Sequence, residues 1–417
     1  MFSASLKLRG RAKYKIWKNW QLFHATDFKS LMNPCFIFCS VLGMFPYKIN
    51  GSTFTISKWR YILSTFIICV LCTYELVVLY EIDFLRIIKF KGVPKTLERN
   101  CFYLLNGFIA VITFIKSGPR MRLLQTIMNI SSKLPVSSYQ KLSKFIHIKD
   151  ILGFLFLTGQ AIVYYLNLDF DTWHKAFVPY VILLVFQMDM LYVNCACILK
   201  ACFKRLDDNL KNLQEVIVND EPHLLRRIYH KHRNPFLLKE LKTLKKQHLA
   251  ISDTLQMLNM VFSLQLLATI ILTFAEITFN LYFYIMHIRI GVLMSNLSHE
   301  MYDMFLMVYI SYYSLKIMLI IWVCETGKDQ AMQIGITVHD LLNNTSNEQI
   351  QNQLQLFSLQ ILNRENAFSA KGLVIDGTLF ISIVGNITTY VLILIQFLIT
   401  SDSCNEKNNS NNVTQEI

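Results

Sequence analysis

The chain predicts an all-α membrane protein, with seven transmembrane helices and a short re-entrant segment near the N-terminus. Three observations carry that class. Of the 417 residues, 53% are hydrophobic and only 17% are charged, whereas a soluble chain carries about 25% charged residues. The apolar residues gather in runs near the roughly 20 residues that a helix needs to cross hydrocarbon. Lys and Arg gather between those runs.

Taken in order, residues 1–58 form a basic N-terminus followed by a broken apolar patch. Lys7, Arg9, Arg11, Lys13, Lys15 and Lys18 precede the first span, and no continuous apolar core of a cleavable signal is present. Insertion is therefore expected to begin at an internal span, with this segment left in the cytosol. The patch 31–47 is too short to cross comfortably and holds Pro34, Gly43 and Pro46. It reads as re-entrant or interfacial, because broken backbone is tolerated at depth only where protein covers it.

The seven spans are 59–82, 97–116, 150–168, 176–202, 258–286, 301–323 and 373–400. The first four fill 59–202, the next two 258–323 and the last 373–400. An odd number puts the termini on opposite sides. Lys and Arg favour the cytoplasmic side; 203–250 holds Lys204, Arg205, Lys211, Arg226, Arg227, Lys231, Arg233, Lys239, Lys242, Lys245 and Lys246. Together with Arg120, Arg122, Lys133, Lys141, Lys144 and Lys149 in 117–149, this argues for an inverted topology, N-terminus cytoplasmic and C-terminus extracellular. Two loops dissent: 83–96 is basic yet falls outside, and 324–372 is slightly acidic yet falls inside. Sequons occur on both sides, at Asn129 and Asn344 inside and at Asn296, Asn408 and Asn412 outside.

The loop 203–257 carries helical stripes, Leu206, Leu210, Leu213, Val216 and Ile217, then Leu237, Leu238, Leu241, Leu244 and Leu249. Apolar residues three and four apart make one greasy face on a charged helix. Asn234-Pro235 is expected to interrupt the two pieces. Such a pair packs on itself or on another subunit, or else lies on anionic lipid. The segment 324–372 is a cytoplasmic loop leading into the last helix, and the Asn- and Ser-rich tail 401–417 reads as disordered and extracellular.

Composition also excludes. The net charge of +13 reflects basic residues beside apolar spans, without the aromatic interleaving of a nucleic-acid groove. The ten cysteines lie mostly in or beside spans, and Cys195-Ala-Cys197 has no second half to complete a zinc site. Cys202, at a membrane edge, fits core packing or palmitoylation. No nucleophile elbow, phosphate loop or H-E-x-x-H is present, so no enzyme, cofactor or metal is expected.

Polar side chains inside hydrocarbon are costly and mark function or helix-to-helix bonds. Glu75, Gln160, Gln187, Asp189, Asn194, Gln265, Glu276, Asn280, Lys316 and Gln396 fall within spans. Asp189 sits near mid-span, while Lys316 is close enough to an end to snorkel. In the inverted topology Gln160, Tyr164, Glu276, Asn280, Tyr309, Tyr312 and Tyr313 lie toward the outer half. With Asp189 they are the candidate ligand-binding residues for a small polar organic molecule; Tyr165 and Tyr302 fit an interfacial belt.

The most specific stretch closes the last span: Thr389-Tyr390, five aliphatic residues, then Gln396-Phe397. Phe368 to Asp376 precedes it, with Asp27 to Leu31 and Leu42 to Pro46 near the start and Cys324 and Val338-His339-Asp340 between. On these motifs, over essentially its whole length, the chain resembles the insect gustatory receptors, relatives of the insect olfactory receptors. The resemblance implies a tetrameric, ligand-gated cation channel of the plasma membrane, homomeric or heteromeric, opened by a small-molecule tastant. The last helix would line a shared pore, with Gln396 and Phe397 at the outer gate, Ile393 one turn below, and Thr389 and Tyr390 behind it. Extensions of the fourth to sixth spans would build a cytoplasmic anchor domain. Sugar-receptor members tend to carry Glu after Thr-Tyr; Val391 stands there, which points away from that clade.

The alternatives are a G-protein-coupled chemoreceptor, an olfactory-type channel subunit and a secondary transporter. The first lacks an acidic-Arg-aromatic triplet after the third span and an Asn-Pro-x-x-Tyr near the end of the last. The transporter lacks internal repeats.

Overall fold

The computed structural model describes residues 23–51, 53–85, 93–167, 172–218, 227–291, 297–345 and 347–413. The basic segment from Lys7 to Lys18, and Arg86, Lys89, Lys91, Arg226 and Asn296, lie outside the described residues.

The first helix, α1 (Phe28–Val41), starts where the Asp27 side chain accepts the Ser30 N–H and the Ser30 hydroxyl accepts the Asp27 N–H. This reciprocal cap satisfies two otherwise orphan donors. Pro34 lies inside α1 without ending it. The chain then turns at Gly43, whose φ of 73° favours glycine, into an antiparallel hairpin of β1 (Tyr47–Asn50) and β2 (Thr53–Ile56). The patch expected as re-entrant is thus a short helix and a hairpin, with Leu31, Met32 and Cys39 fully buried and Phe36 stacked on Phe45 at 4.7 Å. The phenol of Tyr180 donates to the Leu42 carbonyl at 3.0 Å, docking the segment onto the bundle.

The bundle comprises α2 (Lys58–Asp83), α3 (Val93–Ile115), α4 (Ser117–Ser131), α5 (Val136–Asn167), α6 (Thr172–Val218), α7 (Arg227–Gly291) and α8 (Leu297–Asn343). After it come α9 (Glu348–Leu362), a two-residue hairpin of β3 (Ser369–Ala370) and β4 (Leu373–Val374), and α10 (Gly377–Val413). Among the described residues six helices are long and apolar enough to cross a membrane, or seven if α3 and α4, bent by 63°, form one span. The chain is therefore the multi-pass helical protein that its apolar runs predict.

Four boundaries differ from the expectation. The loop 117–149 is mostly helix, because the second span bends at Lys116 into α4 rather than stopping. Asn234-Pro235 does not break the helix: α7 runs through Pro235, its ninth residue. The last span starts at Gly377 rather than 373, since Leu373 and Val374 belong to β4. The tail keeps helical backbone to Val413 instead of ending at 400, with neither Gly nor Pro after Gly385 to stop it.

Length explains the rest. At 1.5 Å per residue the 65 residues of α7 extend roughly 100 Å, about three times the hydrocarbon thickness. The excess of α6 and α7 packs together, burying Leu206, Leu210 and Leu213 with Leu237, Leu241 and Leu244. The charged-faced pair therefore packs on itself rather than lying flat on lipid. Asp207 binds Lys211 at 2.7 Å and the Thr337 hydroxyl at 2.6 Å, joining α8 to this extension. His248 of α7 is buried between the Gln360 and Asn366 amides at 3.1 and 3.4 Å, which joins the segment after α8 as well.

Candidate functional site

At the bundle end away from the basic extensions, α5, α6 and α8 line a half-open cavity of about 320 Å³. Its wall is mostly apolar, with Phe154, Leu157, Val178 and Leu183 beside Thr158 and Tyr180. Three of the candidate ligand residues, Gln160, Tyr164 and Tyr309, also line it. The Gln160 amide and the Tyr164 phenol are buried, yet neither has a hydrogen-bond partner among the described residues. A buried donor or acceptor left unmade costs about 1–3 kcal/mol, so the wall offers polar groups to whatever enters.

The other five candidates lie around the cavity and not in its wall. Tyr313 touches Tyr309, with ring centroids 5.7 Å apart, and Tyr312 stacks on Phe156 at 6.1 Å. Glu276 and Asn280 bond each other on α7, the amide donating to the Glu276 carbonyl at 2.7 Å and to its carboxylate at 3.2 Å. They lie within electrostatic range of a charged trio on α3, in which the buried Glu98 lies 2.9 Å from Lys95 and 3.6 Å from Arg99.

Asp189 lies apart from the cavity wall in a polar cluster of its own. It receives the Thr269 hydroxyl at 3.0 Å and the Gln265 amide at 3.5 Å, and its other oxygen lies 3.2 Å from Lys316. Lys316 also sits over the rings of Tyr312 and Tyr313, at 5.6 and 5.1 Å. It does not snorkel: an opposite charge held inside the bundle offsets burial where headgroups would need a long reach. The cluster pins α6, α7 and α8 together one turn from the aromatic ring set.

The remaining candidates are on α10. Its buried side is Ile383, Ile387 and Val391, which packs on α7 and α8. Thr389, Tyr390, Ile393, Gln396 and Phe397 are exposed on the protomer, Phe397 at 70%. At 100° per residue, Ile393 lies about 200° round the helix from Val391. Tyr390 keeps one contact, edge-on to Phe274 at 5.7 Å.

Sequence reasoning missed how α10 is held. Lys371 and Gly372, at φ 53° and 88°, make the tight turn of the β3–β4 hairpin, a conformation that twists with the strands. Phe368 is buried against Gly327 of α8, where an added Cβ would meet its ring at 2.6 Å. The Asn259 amide of α7 donates to the Ala367 carbonyl at 2.8 Å. Asp376 caps α10 by accepting the Thr378 and Leu379 N–H groups and pairs with Lys328 at 3.3 Å. The Gly377 N–H donates to Glu325 at 3.0 Å. The Thr378 hydroxyl is the main reason the Asp376 carboxyl stays below its ordinary pKa. The only sequence signal was the run from Phe368 to Asp376, which composition alone does not interpret.

A family model described as 7tm Chemosensory receptor matches residues 32–401. The chain belongs to that family. This chemosensory receptor is 32% identical over 167 residues to the Drosophila melanogaster protein named as gustatory receptor 28b, covering 38% of the chain and 34% of that protein. It is 30% identical over 180 residues to the one named as gustatory receptor 28a, covering 41% and 38%. The chain thus spans somewhat over a third of the length of the curated relatives it matches. The insect olfactory receptor OR5 from Machilis hrabei superposes with a TM-score of 0.67 at 12% identity, over 88% of this chain and 97% of that one. The same receptor in complex with eugenol gives 0.64, at the same identity and coverage. At that identity the likeness is one of fold. The receptor is a multi-pass protein of the cell membrane, and its family is chemosensory rather than enzymatic.

Proposed function

We propose that this receptor is a subunit of a tetrameric, non-selective cation channel of the plasma membrane, opened by a small-molecule tastant. The reading rests above all on α10, an apolar helix whose exposed face carries Thr389, Gln396 and Phe397. Polar groups facing lipid are unfavourable, so that face is better matched to a shared water path lined by copies of the same helix. Rings of Ile393 and Phe397 close such a path by dewetting, and the Gln396 amides hold water once the helices part.

The ligand enters the cavity beside Gln160, Tyr164 and Tyr309. Its apolar wall suits a compact organic body, and the amide and phenol suit one hydroxyl or carbonyl group on it. That a receptor of the same fold has been solved with eugenol supports a small-molecule ligand here. From Tyr309 to Lys328, α8 covers about 28 Å, so a shift of α8 at the cavity reaches the hairpin and cap that hold α10. The N-terminus is cytoplasmic and the C-terminus extracellular in this scheme.

Expression of the chain alone in oocytes tests it, with a ligand panel and current recording. A ligand-evoked cation current without added G protein is expected, and Gln396→Ala should change gating or selectivity at unchanged surface expression. Currents that ignore this substitution remove Gln396 from the pore. An N-terminal tag reachable on intact cells overturns the orientation.

A further inference from the structure

A second cavity, of about 330 Å³, lies where the end of α4 meets α6 and α7. Its wall is divided. Leu134, Leu206 and Ile251 make an apolar part, and Lys133, Arg205 and Lys246 make a cationic part. The three cations come from three separate stretches of chain, and among the described residues no carboxylate lines the cavity.

Some other cations of the chain meet acids, Lys149 with Asp150, Lys211 with Asp207, Lys328 with Asp376 and Arg364 with Asp253. Lys133, Arg205 and Lys246 form no ion pair among the described residues. Like charges gathered without a counter-charge repel one another, so the site is arranged for an anion from elsewhere. Asn129, Thr243 and Gln247 add neutral hydrogen-bonding groups beside them.

Depth narrows the source. On α6 the apolar run ends at Cys202-Phe203 and is followed at once by Lys204-Arg205; on α7 it begins about Leu258, two turns past Ile251. The cavity therefore straddles the level where hydrocarbon gives way to headgroups. We propose that it binds the phosphorylated headgroup of an anionic lipid of the inner leaflet. Three cations fit a phosphomonoester-bearing inositol lipid better than a single phosphodiester, and the apolar wall takes the start of an acyl chain. Bound there, the lipid straps the α4–α5 turn to the extension of α6 and α7. The inner leaflet rests on the cytoplasmic N-terminus of the proposed topology, but ion conduction is not assumed, so absence of current alone leaves this site untouched.

The test uses the full chain purified in neutral detergent micelles. Its probes are dioctanoyl phosphatidylinositol bisphosphate, dioctanoyl phosphatidylcholine and soluble inositol trisphosphate, followed by thermophoresis. Saturable binding of the phosphoinositide is expected, about 10-fold tighter than inositol trisphosphate, with none of the choline lipid. A basic residue near a lipid surface contributes about 1 kcal/mol, or about 5-fold in affinity. Arg205→Gln should thus weaken binding about 5-fold, Arg205→Lys should retain it, and replacing all three cations with Gln should lower it about 100-fold. Lys141→Gln with Lys144→Gln and Lys242→Gln, outside the cavity, should leave it unchanged. Thermal unfolding verifies that each variant is folded, and Arg205→Gln alone keeps the test open should the triple variant not fold. Equal weakening by the outside triple, unchanged binding by the cavity variants, or inositol trisphosphate binding as tightly as the lipid each overturn the proposal.

Discussion

In the most apolar stretch of α6, 94% of residues are buried by the rest of the protomer; in that of α10, which is just as apolar, the share is 17%. The two helices leave water for the same reason and end in different company. On α6 the apolar surface is spent inside the bundle, and even its charge, Asp189, has a partner. On α10 only the line of Ile383, Ile387 and Val391 is used, and the remainder is left for lipid or for other copies. Apolarity thus states that a segment leaves water; burial within one chain states how much remains for assembly.

The contrast is most severely tested at the buried charge. Lys316→Met leaves Asp189 alone in the bundle, and loss of one partner of a buried pair costs about 3–5 kcal/mol. A large fall in the unfolding midpoint and in the yield of monodisperse protein is expected. Asp189→Leu combined with Lys316→Met should recover most of it; a single variant of native stability would dissolve the pairing and, with it, the view of α6 as the fixed element.

A middle-sized effect is expected where the two regions are joined. Gly327→Ala drives a methyl group into the Phe368 ring, an overpacking that costs about 1–3 kcal/mol. Phe368→Leu in the same chain should relieve part of it, measured again as the unfolding midpoint. Weaker still is the cap. Asp376→Ala removes it and the Lys328 contact, at about 1 kcal/mol, while Asp376→Asn keeps the cap and loses only the ion pair. Because the carboxyl is held below its ordinary value, the cap's contribution is present above that value and is lost as pH falls through the lowered one. Helix α10 should therefore be indifferent to pH from neutrality down to about 4.

The smallest effect on the protomer is expected from the exposed side of α10. Phe397→Ser and Ile381→Ser touch little within one chain and should move protomer stability by less than about 0.5 kcal/mol. If α10 meets copies of itself, these same substitutions should change assembly, read as the oligomer distribution in native mass spectrometry. Stability that falls steeply instead would place α10 in the protomer core, and the difference from α6 would vanish.

Much of this was legible in the residues. Runs of apolar side chains gave the spans, and the leucine stripes of 203–257 gave the helical extensions of α6 and α7, because periodicity registers which face is covered. What escaped was three-dimensional pairing. Lys316 read as able to snorkel, since nothing in sequence reveals that Asp189 faces it from another helix. Pro235 read as a break, yet the helical backbone continues through it. The cavity drew Gln160, Tyr164 and Tyr309 together while leaving Glu276 and Asn280 in a separate pair, a sorting that depends on helix rotation by tens of degrees. Lys133, Arg205 and Lys246, more than 100 positions apart at their extremes, gave no local pattern at all.

One consequence follows from the length of α7. Its interior holds no glycine and only one proline, near the start, so there is no soft joint along it. Lys246, Asn259 and Thr269 ride on the same rod, spaced over about 35 Å. A rod of that kind acts as a lever: a tilt of only a few degrees at one station becomes a displacement of about 2 Å at another, without any residue between them having to change its own shape.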